Sequence, residues 1–373
     1  MTTDAPGEPS RRVLLVSASM GAGHDNAAAE LARRLTGRGH VVDSVNLLEL
    51  PAGGQGPRLR AFYGLLLRRA PVVYDAAMRF WARWPRPLEA VTAAGAGPYE
   101  RGLAAAIERS RPDVVVSTFN LSSQCLGRMR ADGRATVPIV TYVTDPGAHP
   151  YWVHPAVDLH LAVTPDTAVA LAAMGARRVA ATGPLVRPGF AAVPDLASVG
   201  AAARRRHGLP ETGALALVAA GSEAYGHVEH TVRVLSAVPG VLPVVLCGRD
   251  DRLRRRLERH RLGRPLGWVD DVPGLMAAAD VLIDNAGGLT CLEALVTGLP
   301  VVVFRPLPGH GRFNARSLHA SGLAVWARRD DDLGPAVRGL LDDDAARTAQ
   351  VGRGRAIVTG DVADEVLRLV DAS

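Results

Sequence analysis

The segment NAGGLTCLE, in the second half of this sequence, combines residue types that could bind a nucleotide. Gly287 and Gly288 precede a predicted helix that begins at Leu289 and Thr290. Glycine backbone at a helix N-terminus presents free N–H groups to a phosphate, and the Thr290 hydroxyl adds a further donor. Glu293, one turn into the helix, would repel phosphates but can accept hydrogen bonds from both hydroxyls of a ribose. The segment therefore predicts a site for a nucleoside diphosphate.

A second candidate site is the segment SASMGAGH, where a short apolar run leads into an alanine-rich helix. Gly21 and Gly23 can present bare backbone N–H groups, and His24 follows them at the entrance of the helix. An imidazole titrates near neutral pH, so His24 could act as a general base. The alternative is that His24 caps the helix or bonds a carbonyl. The segment does not fit the dinucleotide fingerprint, because His24 and Asn26 stand where that motif requires tight packing.

A third cluster of polar residues lies in the segment VTDPGAHPYWVH. Asp145 follows a predicted strand and competes with His24 for the role of base, or orients it. His149 and His154 lie close by, and their spacing beside an aspartate could also suggest a metal site. The residues alone leave these alternatives open.

The elements that must position these residues are short apolar strands, each followed by a helical pattern. Such an alternation predicts an α/β fold with parallel sheets covered on both faces. The strands predicted in the first half are Val13–Ala18, Val41–Leu47, Asp113–Ser117, Ile139–Val143, Leu159–Val163 and Arg178–Thr182. Those in the second half are Ala214–Ala220, Val241–Cys247, Pro265–Val269, Val281–Asp284, Val301–Phe304 and Leu323–Trp326. All candidate sites then lie at carboxyl ends of strands, where doubly wound sheets bind ligands.

The predicted organisation is two Rossmann-like, doubly wound domains that face an interdomain cleft. A proline-rich segment, Pro184–Pro210, marks the seam. We predict a disordered tail over residues 1–12, an acceptor-binding domain over 13–190 and a donor-binding domain over 191–373. The last helix, which begins near Asp361, is expected to pack back on the N-terminal domain.

The composition is that of a soluble globular protein, with 373 residues, 48% hydrophobic content and a net charge of +6. All 43 basic residues are arginine, which a GC-rich genome explains. Cys125, Cys247 and Cys291 lack the spacing of metal ligands or of a disulfide framework, which favours a reducing cytoplasm. No apolar run reaches the roughly 18 residues of a membrane-spanning helix, and no nucleic-acid-binding signature is present.

Six segments, in order, resemble one family of enzymes. They are GAGHDNAAAEL, YVTDPGAHPYWVHPAVDLHLAVTPDTAVALAAMGARRVAATGPLVRPGF, VLCGRDDRLRRRL, LGWVDDVPGLMAAADVLIDNAGG, NAGGLTCLEALVTGLPVV and PGHGRFNA. The chain is similar, from Val13 to Val325, to GT-B glycosyltransferases of the monogalactosyldiacylglycerol synthase and processive diacylglycerol glycosyltransferase family. It resembles the peptidoglycan lipid-linked N-acetylglucosaminyltransferase more distantly. The resemblance implies a UDP-sugar donor, inversion at the anomeric carbon and no metal or other cofactor.

The resemblance also implies roles for individual residues. Donor binding is implied for Gly221, Ser222, Arg249, Trp268, Val269, Gly287, Gly288, Leu289, Thr290, Glu293, His310 and Asn314. Acceptor binding is implied for Gly23, His149, Trp152, His154, Phe62 and Trp81. Catalysis is assigned to His24 and Asp145. His310 departs from the family, which usually has Gln there, so the sugar hydroxyls that it reads can differ.

The segment from Arg58 to Arg86 bears on the acceptor. It holds seven arginines and one acid, Asp75, together with six aromatic residues. Basic residues mixed with aromatic and aliphatic ones are typical of helices that lie on an anionic membrane. The alternative is a helix pair that packs on the first sheet with its arginines outward.

The leading hypothesis is an inverting glycosyltransferase that moves a hexose from a UDP-sugar to a lipid hydroxyl, most favourably that of diacylglycerol. It would act in the cytoplasm, peripherally bound to the inner face of the plasma membrane, without nucleic acid. Alternative acceptors are a hydrophobic natural product and a polyprenyl-linked intermediate. A UDP-sugar 2-epimerase and a non-catalytic UDP-sugar sensor are further alternatives. The residues do not single out the donor sugar.

Overall fold

The computed structural model describes residues 9–191, 195–219, 226–285 and 287–372, which form two parallel sheets of six strands each. The strands of the first sheet are β1 (Arg12–Ser17), β2 (Val41–Asn46), β3 (Val114–Ser117), β4 (Ile139–Val143), β5 (Leu159–Ala162) and β6 (Val179–Ala181). Those of the second are β7 (Ala214–Ala219), β8 (Val241–Leu246), β9 (Arg264–Leu266), β10 (Val281–Asp284), β11 (Val301–Phe304) and β12 (Val325–Ala327). Every strand predicted from the sequence is present, with ends shifted by at most a few residues.

Helices cover both faces of each sheet. In chain order they are α1 (Ala22–Thr36), α2 (Gln55–Arg69), α3 (Pro71–Arg83), α4 (Pro85–Ser110), α5 (Asn120–Ala131), α6 (Pro165–Ala173), α7 (Leu196–Arg206), α8 (Val228–Ser236), α9 (Asp251–Arg259), α10 (Val272–Ala278), α11 (Leu289–Thr297), α12 (His310–Ala320), α13 (Asp330–Leu341), α14 (Asp344–Arg355) and α15 (Val362–Asp371). Within the ranges that the structure describes, no helix is both long and apolar enough to cross a bilayer.

The strands read as continuous apolar runs because both of their faces are buried. In β3, β4, β10 and β11 every residue is buried. Alternate residues of one strand therefore belong to different cores. Val114 and Val116 lie in one hydrophobic cluster, whereas Val115 lies in the cluster on the opposite face.

The strand orders create one switch point in each sheet. The first sheet runs β2-β1-β3-β4-β5-β6, and the second runs β12-β11-β10-β7-β8-β9. The order reverses between β1 and β3 in the first sheet and between β7 and β10 in the second. Ligands of such sheets bind at the carboxyl ends of the strands beside this point. His24 follows β1 and Gly287 follows β10, so both candidate sites lie at switch points.

Helix α1 and the turn that follows it contact segments close to both ends of the described chain. Arg34 of α1 forms an ion pair with Asp361 at 3.2 Å, and Arg38 pairs with Asp361 at 3.4 Å. Helix α15, which follows Asp361, therefore contacts the first domain although the second precedes it. At the other end, β1 begins at Arg12, and the Ser10 hydroxyl donates to the Gly39 carbonyl at 2.8 Å. Residues 1–8 of the predicted tail lie outside the described residues.

His160, in strand β5 of the first sheet, gives a stability prediction. It is fully buried, neither ring nitrogen has a partner among the described residues, and burial lowers its pKa from 6.5 to about 4. The unfolded chain binds this proton below pH 6.5 while the folded chain stays neutral until about pH 4. His160 therefore lowers the free energy of unfolding by roughly 1.4 kcal/mol per pH unit across that window.

We expect His160→Leu to remove this pH dependence. The melting temperature of the variant should exceed that of the native protein by a margin that grows as pH falls from 8 to 5. Thermal melts at several pH values measure it, with the exposed His260→Leu as the control. A margin that is constant with pH would contradict the prediction.

Candidate functional site

His24 lies at the switch point of the first sheet, tied to the strand next to its own. Its Nδ1 lies 2.8 Å from the backbone carbonyl of Thr118, which directly follows β3, and 3.1 Å from the Thr144 hydroxyl. A carbonyl only accepts, so this bond places the ring proton on Nδ1 and leaves the Nε2 lone pair free. The carbonyl bond considered from the sequence is therefore present, and it favours the tautomer that a general base requires.

Aromatic rings hold the imidazole in place. The ring of Phe119 meets that of His24 edge-on at 5.0 Å, and the ring of Trp152 lies 6.1 Å away. Trp152 is completely buried, and its Nε1 donates to Asp145 at 3.3 Å. Trp152 is expected from the resemblance to line the acceptor site, but it has no exposed surface here, and it contacts His24, Asp145 and His149.

Asp145 is bonded across the domain interface. One oxygen accepts from Trp152, and the other accepts from Nδ2 of Asn314, in α12, at 3.0 Å. The Oδ1 atom of Asn314 accepts from the backbone N–H of Gly147 at 2.9 Å. Asn314 is fully buried, so the amide that the resemblance assigns to the donor sugar connects the two domains in this structure. Asp145 contacts groups around His24 rather than its ring nitrogens.

Two further histidines surround Asp145. His149 is buried beside the rings of Trp152 and Phe313, and burial lowers its pKa to about 4 although the Asp145 charge opposes this. Burial also lowers the pKa of His310, the first residue of α12. Both side chains are therefore held towards the neutral form, in which each can donate one hydrogen bond and accept another.

The His154 side chain packs on α5, whereas those of His149 and His310 lie near Asp145. Its ring packs on Gly127 of α5, where an added Cβ would lie 2.3 Å from the ring, and its Nδ1 accepts from the N–H of Ala156. The sequence groups His154 with His149 because they are close along the chain. In the described ranges no three His, Cys, Asp or Glu side chains are grouped as metal ligands would be.

The loop before α11, which the sequence predicts to bind phosphates, contains a glycine in the left-handed conformation. Gly287 has φ +65°, and its N–H donates to the Asp284 carboxylate at the end of β10. Gly288 is the N-cap of α11, ahead of Leu289 and Thr290, and no described residue lies within 4 Å of a Cβ added there. Among the described residues, the side of Gly288 that a side chain would occupy is therefore open. Gly221 and Ser222, predicted to flank the phosphates, lie outside the described residues.

The N-terminus of α11 faces α1, the helix that carries His24. A Cβ added to Gly23, beside His24, would lie 3.6 Å from Cβ of Leu289. The N-termini of α1 and α11 therefore meet across the cleft. Two positive helix ends therefore converge at this point, where they would attract a bound anion.

Glu293 is buried close to the same mouth. Only 6% of it is exposed, and burial raises the pKa of its carboxyl to about 7, with Arg187 opposing the shift. Arg187 belongs to the segment that joins the two domains. A carboxyl with so raised a pKa in a cleft is typical of functional positions. A ligand that donates hydrogen bonds to the Glu293 carboxylate would stabilise its charged form.

Trp268 is exposed rather than part of the core. It lies outside β9, 58% of it is exposed, and the Arg249 guanidinium lies 4.6 Å from its ring centre. Its Nε1 donates to Asp270 at 2.8 Å. Val269, next in the chain, is half-buried against the core. An exposed ring capped by a guanidinium offers a face on which a nucleobase can stack.

Exposed apolar side chains concentrate on α2, α3 and the start of α4. Seven of the twelve large apolar side chains found exposed among the described residues lie there: Phe62, Leu65, Val72, Val73, Phe80, Trp84 and Val91. We call these seven residues the apolar face. Phe62 is 61% exposed, whereas Trp81 is half-buried. Arginines surround the apolar face, and the guanidinium carbon of Arg83 lies 4.8 Å from the Trp84 ring centre.

The sequence analysis missed two residues that the structure brings to the site. Thr118 supplies the carbonyl that orients His24, and its place after a predicted strand beside β1 was the available signal. Asp75 of α3 reaches the loop before α12, where it accepts from the Gly309 N–H at 3.0 Å. It stands out in the sequence as the single acid of an arginine-rich segment.

Comparisons with known proteins agree with this geometry. The family model of monogalactosyldiacylglycerol (MGDG) synthase matches residues 60–186. A processive diacylglycerol beta-glucosyltransferase of Bacillus cytotoxicus is 24% identical over 357 residues, which is 89% of this chain and 86% of the relative.

Solved structures share the whole architecture. MurG of Acinetobacter baumannii matches with a TM-score of 0.61 and 15% identity, over 98% of this chain and 100% of that one. HepE of Anabaena, solved with UDP-glucose, matches with a TM-score of 0.58 and 14% identity, over 97% of this chain and 98% of that one. The predicted GT-B fold and the resemblance to the diacylglycerol glycosyltransferases are confirmed.

Proposed function

We propose that this chain, a glycosyltransferase of the GT-B fold related to the MGDG synthases and processive diacylglycerol glucosyltransferases, transfers a hexose from a UDP-sugar to a lipid hydroxyl. The favoured acceptor is diacylglycerol, at the cytoplasmic face of the membrane. The observation that carries the proposal is the orientation of the His24 ring. Its Nδ1 is tied to the Thr118 carbonyl at 2.8 Å, which leaves Nε2 free as a base opposite the donor-side helix.

The proposed reaction is a single displacement at the anomeric carbon. The acceptor hydroxyl attacks that carbon and gives its proton to Nε2 of His24, while the bond to the diphosphate oxygen breaks and UDP departs. The leaving group gains negative charge, which the N–H groups of Gly288 and Leu289 and the positive end of α11 stabilise. We propose that these groups and Arg249 bind the diphosphate without a metal.

The relatives support both the donor and the stereochemistry. HepE was solved with UDP-glucose, and the Bacillus relatives are named beta-glucosyltransferases acting on diacylglycerol. UDP-glucose carries its sugar in the α configuration, so a β product requires inversion. A single displacement with one base accounts for that outcome and needs no covalent enzyme intermediate.

The apolar face and its arginines support peripheral attachment to the membrane. Apolar side chains beside cations bind an anionic bilayer through both burial and charge. Helices α2 and α3 belong to the domain that carries His24. An acceptor held in the bilayer surface would then reach the cleft from this side.

UDP release from a panel of UDP-sugars, with and without anionic vesicles that contain diacylglycerol, tests the proposal. We expect one donor to be consumed only when vesicles are present, and its consumption to persist in EDTA. Turnover without an acceptor would indicate an epimerase, and UDP-sugar binding without turnover would indicate a sensor. Either outcome would overturn the proposal.

The apolar face gives a separate prediction. Val73→Ser should weaken binding to anionic vesicles, measured by sedimentation, by about fivefold to tenfold. A valine side chain that is partly inserted in the bilayer contributes roughly 1.5 kcal/mol or less to the binding free energy. Val169→Ser is the matched control, since Val169 is a valine of α6 that is 70% exposed. Equal vesicle binding by both variants would show that α3 does not contact the membrane.

A further inference from the structure

Asp75 is a buried carboxylate whose partners lie in both domains. Only 4% of it is exposed. From the second domain it accepts from the Gly309 N–H at 3.0 Å and from Nη1 of Arg312 at 2.9 Å. From its own helix it pairs with Arg79 at 3.1 Å. Of its three partners among the described residues, one therefore lies in the loop before α12 and one lies in α12, the helix that begins at His310.

The contact between α3 and this loop is close on both sides. Gly309 has φ +69° and is the N-cap of α12. A Cβ added there would lie 2.7 Å from both Tyr74 and Met78 of α3. The loop therefore fits against α3 only with glycine at this position. Its backbone conformation is fixed by a helix of the other domain.

The role of Asp75 is not explained by the stability of α3. Burying a carboxylate costs solvation free energy, and isolated ion pairs repay this cost poorly. Within its own helix Asp75 has a single partner, Arg79, which is 62% exposed and contributes little. What the buried carboxylate specifies is the position of Gly309 and Arg312 relative to α3.

The outer surface of the same helix carries part of the apolar face. Val72, Val73 and Phe80 are 76%, 62% and 51% exposed. Helix α3 thus presents apolar side chains outward and a carboxylate inward to the loop before His310. A single helix of 13 residues connects the proposed membrane surface to the proposed donor side of the cleft.

We propose that Asp75 is a positioning residue that couples the docking of α3 on a membrane to the placement of His310 at the donor sugar. This inference rests on the proposed function of the donor site. When α3 binds the bilayer, its carboxylate holds the N-terminus of α12 against the first domain. Docking thereby restrains α3 and, through Asp75, raises the fraction of the enzyme in which α12 is held in the position seen here.

The test compares Asp75→Asn, Arg312→Gln and the double variant with the native enzyme. We expect each single variant to lower the vesicle-stimulated kcat/KM for the UDP-sugar at least tenfold. The affinity for UDP alone and the sedimentation with vesicles should change less than twofold, because Glu293 and the apolar face are untouched. The double variant should be no worse than Asp75→Asn, since both changes remove one shared contact.

Asp132→Asn is the control, because Asp132 is an exposed aspartate of the same domain that pairs with Arg134. Should Asp75→Asn fail to fold, Arg312→Gln still breaks the contact from its 53% exposed side. An unchanged kcat/KM in Arg312→Gln, or a loss matched by an equal loss of UDP affinity, would overturn the proposal.

Hydrogen exchange separates this proposal from the proposed function. In the native protein, vesicles should slow amide exchange at residues 309–313, and in Asp75→Asn they should not. This readout does not depend on turnover. A native enzyme that shows the slowing but consumes no donor would overturn the proposed function alone. Turnover without the slowing would overturn the coupling alone.

Discussion

Replacing His24 with glutamine is expected to lower kcat by about 10²–10⁴-fold while leaving UDP affinity nearly unchanged. Glutamine retains polar atoms at this position but cannot accept a proton near neutral pH. The proposed UDP site lies at the N-terminus of α11 in the other domain, so the affinity for UDP should change less than threefold. Single-turnover transfer to vesicle-borne diacylglycerol and calorimetric titration with UDP measure the two quantities.

The same experiment decides between His24 and Asp145 as the base. His260→Gln, at an exposed histidine after α9, is the control and should match the native enzyme. Asp145→Asn should alter KM as well as kcat, because it disturbs the bonds to Trp152 and Asn314 that connect the domains. If His24→Gln keeps more than a tenth of the native kcat while Asp145→Asn loses all activity, the base is Asp145.

The strands and switch points of this fold were predictable because their signals are local. A parallel strand covered on both faces is a short run of valine, leucine and isoleucine, and such runs stand out from the arginine-rich helices. The carboxyl ends of β1, β4 and β10 follow from the strands alone. His24, Asp145 and Glu293 could therefore be assigned to one cleft before their geometry was known.

The partners of these residues could not be predicted, because they are distant in sequence. His24 meets Thr118, 94 residues later, and Asp75 meets Arg312, 237 residues later. The resemblance assigned Asn314 to the sugar, and nothing local in the sequence indicates that its amide bridges to Asp145. Which side chains are buried by such contacts depends on how the two domains meet, and no single segment encodes that.

Affinity for UDP is expected to rise with pH through about 7 and then to level off. Burial raises the pKa of Glu293 to about 7 from 4.5. In the proposed site, the ribose hydroxyls donate to the charged carboxylate. UDP must therefore displace the proton from Glu293 at low pH. Well below pH 7 the affinity should fall by about tenfold per pH unit, and binding should release a proton. Calorimetric titrations in buffers of different ionisation enthalpy measure both quantities.

The variant Glu293→Gln separates the effect of Glu293 ionisation from a general effect of pH. It should weaken UDP binding but raise the stability of the unliganded protein. The variant should bind UDP about 10- to 100-fold more weakly at pH 8, because it loses hydrogen bonds to a charged acceptor. Its UDP affinity should lose the pH dependence that Glu293 ionisation causes, and binding should release no proton.

The raised pKa of Glu293 also predicts an effect on stability. The buried carboxylate lowers the free energy of unfolding as pH rises from 4.5 to about 7, by roughly 3 kcal/mol in total. Without ligand, Glu293→Gln should therefore melt at a higher temperature than the native protein at pH 8 and at a similar one at pH 4.5, whereas the exposed Glu108→Gln should change neither. A variant that is both less stable and weaker in UDP binding at pH 8 would show that Glu293 acts through folding rather than through the ribose.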